Sequence, residues 1–275
     1  MTDFLIILAQ AISLGIAVLL PSVGVSIYVW SYEADESIDQ TASPISRISL
    51  NEPVVRRNSA ELKAKFSWRR ARKLLWEHFI QAYSNKTILI WSIWWSLAMA
   101  GFLQIQSYVQ LLWQEIYGPD NENIFNGAIE AAMTLFGAIS CLVAGFIPSE
   151  MFERFDLWIL TACSLVEGVM IIIASQTDQI WVAYAMYVLF GIVYMYMITL
   201  ASATIAKNLA DDIFALIFGI NTLLALVIQV ALTILVVSES GFKLSPRGQF
   251  LVFGSYFVGL ALIYLIGSII KQIRK

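Results

Sequence analysis

Apolar positions in this chain run in long unbroken stretches rather than in the mixed spacing of a soluble core. Seven of them reach the roughly 20 residues that a helix needs to cross about 30 Å of hydrocarbon. They are Phe4–Trp30, Thr87–Trp113, Ile124–Ile147, Leu157–Ala174, Ile180–Ile205, Ile213–Val237 and Phe250–Ile273. Backbone groups find no water in lipid, so each stretch reads as a helix that satisfies its own hydrogen bonds. The fourth is the shortest, and Pro21 interrupts the first. The start does not read as a cleaved leader, because it lacks a basic n-region and stays apolar up to Trp30.

The polar residues gather in one long connection, 31–86. Its first part, Ser31–Pro53, is acidic and Ser-rich and reads as disordered. Its second part, about 59–83, has helical spacing. Asn58 and Glu61 stand as in a capping box, and Leu75, Trp76, Phe79, Ile80 and Tyr83 share a face. Lys65, Arg69, Arg70, Arg72 and Lys73 crowd just upstream. Two readings stay open: a basic amphipathic helix lying on an anionic leaflet, or a solvated charge run leading into the next span. Arg56-Arg57-Asn58-Ser59 resembles a basic-directed kinase site, and Asn85-Lys86-Thr87 matches a glycosylation sequon expected to face the cytoplasm unmodified.

Composition narrows the class. Of 275 residues, 59% are hydrophobic and 13% charged, and the mean hydropathy is +0.74. This excludes a soluble enzyme, a disordered chain and a basic nucleic-acid-binding domain. The net charge of −3 matters less than where the cations fall. Fifteen of the 17 Lys and Arg lie in 31–86, 148–156, 206–212 and the C-terminal end. Only Lys243 and Arg247 lie in the alternate connections. The basic side is expected to be cytoplasmic, with the N-terminus outside, the C-terminus inside and the plasma membrane as location.

Charges within spans are costly, at about 2.5–3.5 kcal/mol each on insertion scales. Away from the span ends, only Glu130 and Glu167 carry one. Glu130 sits among small residues in Asn126-Gly127-Ala128-Ile129-Glu130-Ala131-Ala132. It suits a cationic substrate or a proton, or else a hydrogen bond between packed helices. Glu167 lies in a more uniformly apolar helix, with structural and functional roles equally open. The second span places Gln106 and Gln110 four residues apart, with Ser107 beside them, and later spans add Tyr194, Asn221 and Gln229. Such groups either line a cavity or bond helices together. The chain shows no phosphate-binding glycine loop, metal-ligand spacing or nucleophile elbow, so neither catalysis nor a cofactor is expected. Cys141, Cys163 and the lone His78 read as ordinary packing or interfacial residues.

Seven helices with this orientation also match a seven-helix receptor. The 56-residue first inner loop, the lack of Asp-Arg-Tyr and Asn-Pro-x-x-Tyr, and the cysteine-free outer loops argue against it. One helix, a long loop and six helices fit better.

The residues carry a resemblance. Trp94-Trp95-Ser96-Leu97-Ala98-Met99-Ala100-Gly101-Phe102 with Tyr108-Val109-Gln110-Leu111-Leu112-Trp113 resembles the seventh helix of the reduced folate and thiamine carriers, solute carrier family 19. Asn126-Gly127-Ala128 with Glu130, Thr134-Leu135-Phe136-Gly137-Ala138, Phe218-Gly219-Ile220-Asn221-Thr222 and Ser255-Tyr256-Phe257 are similar to further motifs of that family, in the same order. The resemblance implies an all-α membrane protein with a partial major facilitator fold: the last helix of the first half (1–30), a central loop (31–86), the six-helix second half (87–273) and a short cytoplasmic tail (274–275). It implies a vitamin as substrate, held at Phe102, Gln106, Ser107, Gln110, Glu130, Tyr194, Asn221 and Gln229. Folate carriers resemble this chain less where they place cations, since Gly191 and Gln229 stand there. Thiamine carriers resemble it more at Tyr194-Met195, although Ser107 replaces an amide and Gly191 an arginine. Thiamine is therefore the expected substrate, with reduced folate and a non-transporting membrane subunit as alternatives. Five spans of a full carrier are missing, so the expected partners are a counterpart first half or a second copy, besides membrane lipid.

Overall fold

A computed structural model describes residues 68–118, 125–146, 149–209, 213–239 and 241–273. The first apolar stretch, the acidic segment and the Asn58–Glu61 pair lie outside the described residues.

Seven helices follow in order: α1 (Trp68–Ser84), α2 (Lys86–Tyr117), α3 (Asn126–Gly145), α4 (Ser149–Gln176), α5 (Ile180–Lys207), α6 (Phe214–Leu232) and α7 (Pro246–Ile273). Six of them, α2 to α7, are long and apolar enough to cross a membrane. α1 is the polar, amphipathic member expected within 59–83. A π-helical turn, Thr233–Val237, extends α6. α2 to α7 overlap the last six of the expected spans, with shifted ends. The fourth gains most, because a helix begins at Ser149 and passes through non-helical angles at Phe155 before the apolar run. α3 is instead the shortest span at 20 residues.

Asn85 ends α1 and starts α2. Its side-chain oxygen accepts the Thr87 amide at 2.9 Å, which occupies one of the donors that a helix start leaves free. The sequon asparagine thus serves as an N-cap. α2 has 32 residues, about 48 Å at 1.5 Å per residue, so it outreaches the hydrocarbon core.

α2 is also the axis of the bundle. Its apolar window is 67% buried, against 22% for α3. It packs on α5, α6 and α7, while α4 pairs most extensively with α7 and α3 with α5. Lipid offers no hydrophobic drive between helices, so close backbone approach and hydrogen bonds must hold them. Glycine supplies the approach. A Cβ on Gly168 would meet Val258 Cγ2 at 2.7 Å and the Gly254 carbonyl at 2.8 Å. This sets the α4–α7 crossing.

Hydrogen bonds tie α2 to its neighbours. Trp94 Nε1 donates to Ser164 Oγ at 2.8 Å, and Trp95 Nε1 to Ser202 Oγ at 3.1 Å. Tyr256 and Tyr264 of α7 donate to the carbonyls of Leu97 and Ile90.

The two cations on the otherwise cation-free side are both paired. Arg247 bonds Asp178 at 2.8 Å and lies 3.7 Å from Glu115, while Lys243 bonds Glu239 at 2.8 Å. Their charges are offset locally, which fits their exception to the positive bias.

Candidate functional site

The α2–α3–α5 corner holds a polar cluster built on matched helical spacings. Asn126 and Glu130 lie one turn apart on α3. Tyr184 and Tyr187 lie one turn apart on α5, and Gly191 and Tyr194 continue their stripe. The rows meet rung by rung. Tyr184 donates to Asn126 Oδ1 at 2.6 Å, and Tyr187 lies 3.1 Å from each Glu130 oxygen. Asn126 Nδ2 donates to Gln110 Oε1 of α2 at 2.7 Å. Tyr117 adds a hydroxyl contact with Tyr184.

Trp113 backs this cluster. It is fully buried and meets Tyr184 and Tyr187 edge-on, with centroids 4.8 and 5.3 Å apart. Two phenols are thereby fixed and aimed at α3. Glu130 itself is half-buried, with no cation paired to it among the described residues. A carboxylate held by a phenol on one side and open on the other can receive a positively charged group.

Deeper in the bundle, Phe102 stacks on Tyr194 with centroids 4.0 Å apart and planes 5° apart. Phe190 continues the stack at 6.0 Å from Phe102. Both members of the pair are buried, so they form a floor on which each ring already covers the other.

Position 191 is filled from across the interface. A Cβ on Gly191 would meet Met133 Cγ at 2.5 Å and Sδ at 2.8 Å. Met133 therefore takes the room that a long cationic side chain at 191 would need.

The remaining expected site residues divide. Gln106 and Ser107 are exposed on the face of α2 that carries Gln110, and the Ser107 hydroxyl returns to the Leu103 carbonyl at 2.7 Å. Asn221 lies apart from the cluster, where its Oδ1 accepts the Tyr83 hydroxyl at 2.7 Å. That bond pins α1 to α6. Gln229 is half-buried, and its backbone carbonyl accepts from Thr233 at 3.0 Å. The same Thr233 hydroxyl accepts the buried Gln104 amide at 3.1 Å beside the π turn.

Glu167 has no hydrogen-bond partner among the described residues. It is fully buried, and neither carboxylate oxygen has a hydrogen bond.

The sequence reading missed Tyr117, Tyr184 and Tyr187 as members of the cluster. The signal was available: tyrosines three apart on one span, opposite an amide and an acid four apart on another.

Among the described residues, the six long apolar helices and the polar corner they enclose define a polytopic membrane bundle. The family model described as Reduced folate carrier matches residues 3–252, and the chain belongs to that family. Thiamine transporter 1 of Mus musculus is 37% identical over 203 residues, covering 74% of this chain and 41% of that protein. Thiamine transporter 2 of Homo sapiens is 40% identical over 188 residues, 68% of this chain and 38% of that protein. Folate transporter 1 of Caenorhabditis elegans is 31% identical over 282 residues, covering all of this chain and 59% of that protein. The chain spans about two fifths of the length of the thiamine transporters it matches.

Proposed function

We propose that this bundle is one half of a secondary carrier for a small cationic vitamin of the thiamine type. The substrate lies against the α2–α3 face, between this half and a counterpart bundle, as in carriers whose site sits at the interface of two repeats. The single observation that carries the reading is Glu130: a half-exposed carboxylate within a span, oriented by Tyr187 and left without a cation among the described residues. An intramembrane charge of that kind needs a counter-charge, and the ligand supplies it.

Gln106, Ser107 and Gln110 extend the surface with hydrogen-bonding groups for an amino-substituted ring. The Phe102–Tyr194 stack forms the apolar base. A dianionic folate finds no cation here, since the Lys and Arg of the described spans, Lys86, Lys207, Arg247 and Lys271, all lie within two residues of a helix end, and Met133 fills the space beside Gly191. The printed names of several relatives as thiamine transporters support the same choice.

Uptake of labelled thiamine and labelled folate is the test, with this chain alone and with it joined to a first half from a relative. The joined form is expected to take up thiamine in preference to folate. No thiamine uptake by a well-folded joined form, or a preference for folate, contradicts the reading.

A further inference from the structure

We propose that the groove between α1 and the start of α6 is a binding site for an anionic phospholipid. It stands independently of the vitamin reading. The groove has a volume of about 710 Å³, the size of a small-molecule site. Trp76 and Phe79 of α1 form one wall, and Leu216 and Ile220 of α6 form the other. Arg72 and Lys73 also line it. This is an apolar trough closed by two cations, the chemistry of an acyl chain below a negative headgroup.

Four observations fix the groove and its occupant. Tyr83 donates to Asn221 at 2.7 Å, so α1 is held against α6 one turn beyond the aromatic wall. The wall is itself braced, with ring centroids 5.4 Å apart for Trp76–Phe79 and 4.8 Å for Phe79–Tyr83. Trp76 nevertheless stays 61% exposed and Ile80 49% exposed, so α1 offers apolar surface away from the bundle as well as towards it. Lys86 at the start of α2 and Lys271 at the end of α7 stand at the same end of the bundle as the groove, and clustered cations attract anionic lipid. Lys73 shares its charge with Glu77 at 3.6 Å, which leaves Arg72 as the stronger headgroup contact.

The test uses the whole chain in mixed bilayers. Native mass spectrometry should show phosphatidylserine retained over phosphatidylcholine, and the variant Arg72→Gln/Lys73→Gln should reduce that preference about tenfold. Equal retention of the two lipids, or a preference untouched by the double variant, overturns the proposal. A second readout compares the chain with its Trp76→Phe variant in bilayers of brominated lipid. Quenching that depends on Trp76 and is stronger for brominated phosphatidylserine is expected. Equal quenching by both lipids means apolar contact alone and overturns the headgroup claim. No Trp76-dependent quenching means that protein covers the groove, whether residues 1–67 or a counterpart half, and overturns it too.

Discussion

The Tyr187 hydroxyl stands 3.1 Å from both oxygens of Glu130, so one phenol on α5 bridges the carboxylate of α3 symmetrically. A bridging donor of this sort fixes the plane of the acid while leaving its outer lone pairs open. The carboxylate is oriented before any ligand arrives, and preorganisation lowers the cost of binding.

Tyr187→Phe should therefore weaken thiamine binding more than it weakens the bundle. About tenfold in affinity and about 1 kcal/mol in stability are expected for one lost hydrogen bond to a charged group that stays partly hydrated. Equilibrium binding and detergent unfolding of the joined form measure the two. A loss of stability with unchanged affinity would make Tyr187 a structural tie only.

Glu167 gives the opposite expectation. Both oxygens are buried without a partner, so the group costs the bundle rather than holding it. Glu167→Leu, similar in size and apolar, should raise the unfolding midpoint by the equivalent of about 1–3 kcal/mol. A lower midpoint in thermal unfolding would mean that Glu167 has a bond the structure does not show.

Met133 and Gly191 form a lock between α3 and α5. Gly191→Arg should sharply reduce the yield of folded protein, since overpacking a tight contact costs about 1–3 kcal/mol before the buried charge is counted. Gly191→Ala should show the steric part alone, and Met133→Ala in the same chain should recover it. Size-exclusion profiles in detergent report the outcome. A Gly191→Ala chain that folds as well as the parent would show that the helices shift apart freely.

Arg247, at the start of α7, ties the end of α2 through Glu115 and the α4–α5 connection through Asp178. Arg247→Gln should cost about 0.2–1 kcal/mol, and the difference should shrink in high salt because the pair is solvent-facing. A salt-independent difference in unfolding midpoint would point to packing by the Arg247 stem instead.

Much of this was readable from the sequence for a simple reason. The requirement that a helix span the hydrocarbon acts on runs of residues, so Thr87–Trp113 and Phe250–Ile273 announce themselves without knowledge of any neighbour. Partnership between helices does not. Asn221 and Gln110 look alike in sequence as lone polar groups in apolar spans. Only packing shows that the first bonds Tyr83 at one end and the second joins the Asn126–Tyr184 chain. Phe102 and Tyr194 were both expected at the site, yet their stacking on each other follows from the α2–α5 crossing and from no local pattern. The tyrosine stripe of α5 could have been found from spacing, but tyrosines in spans usually serve as hydrogen-bonding packing groups, as Tyr256 and Tyr264 do here.

The central claim is that Glu130 recognises positive charge. The most direct measurement is a two-by-two comparison on the joined form: affinity for thiamine and for an uncharged analogue of the same shape, in the parent and in Glu130→Gln. The account predicts that the substitution weakens thiamine at least tenfold and leaves the uncharged analogue within about twofold. An equal loss for both ligands, or none for either, would contradict it.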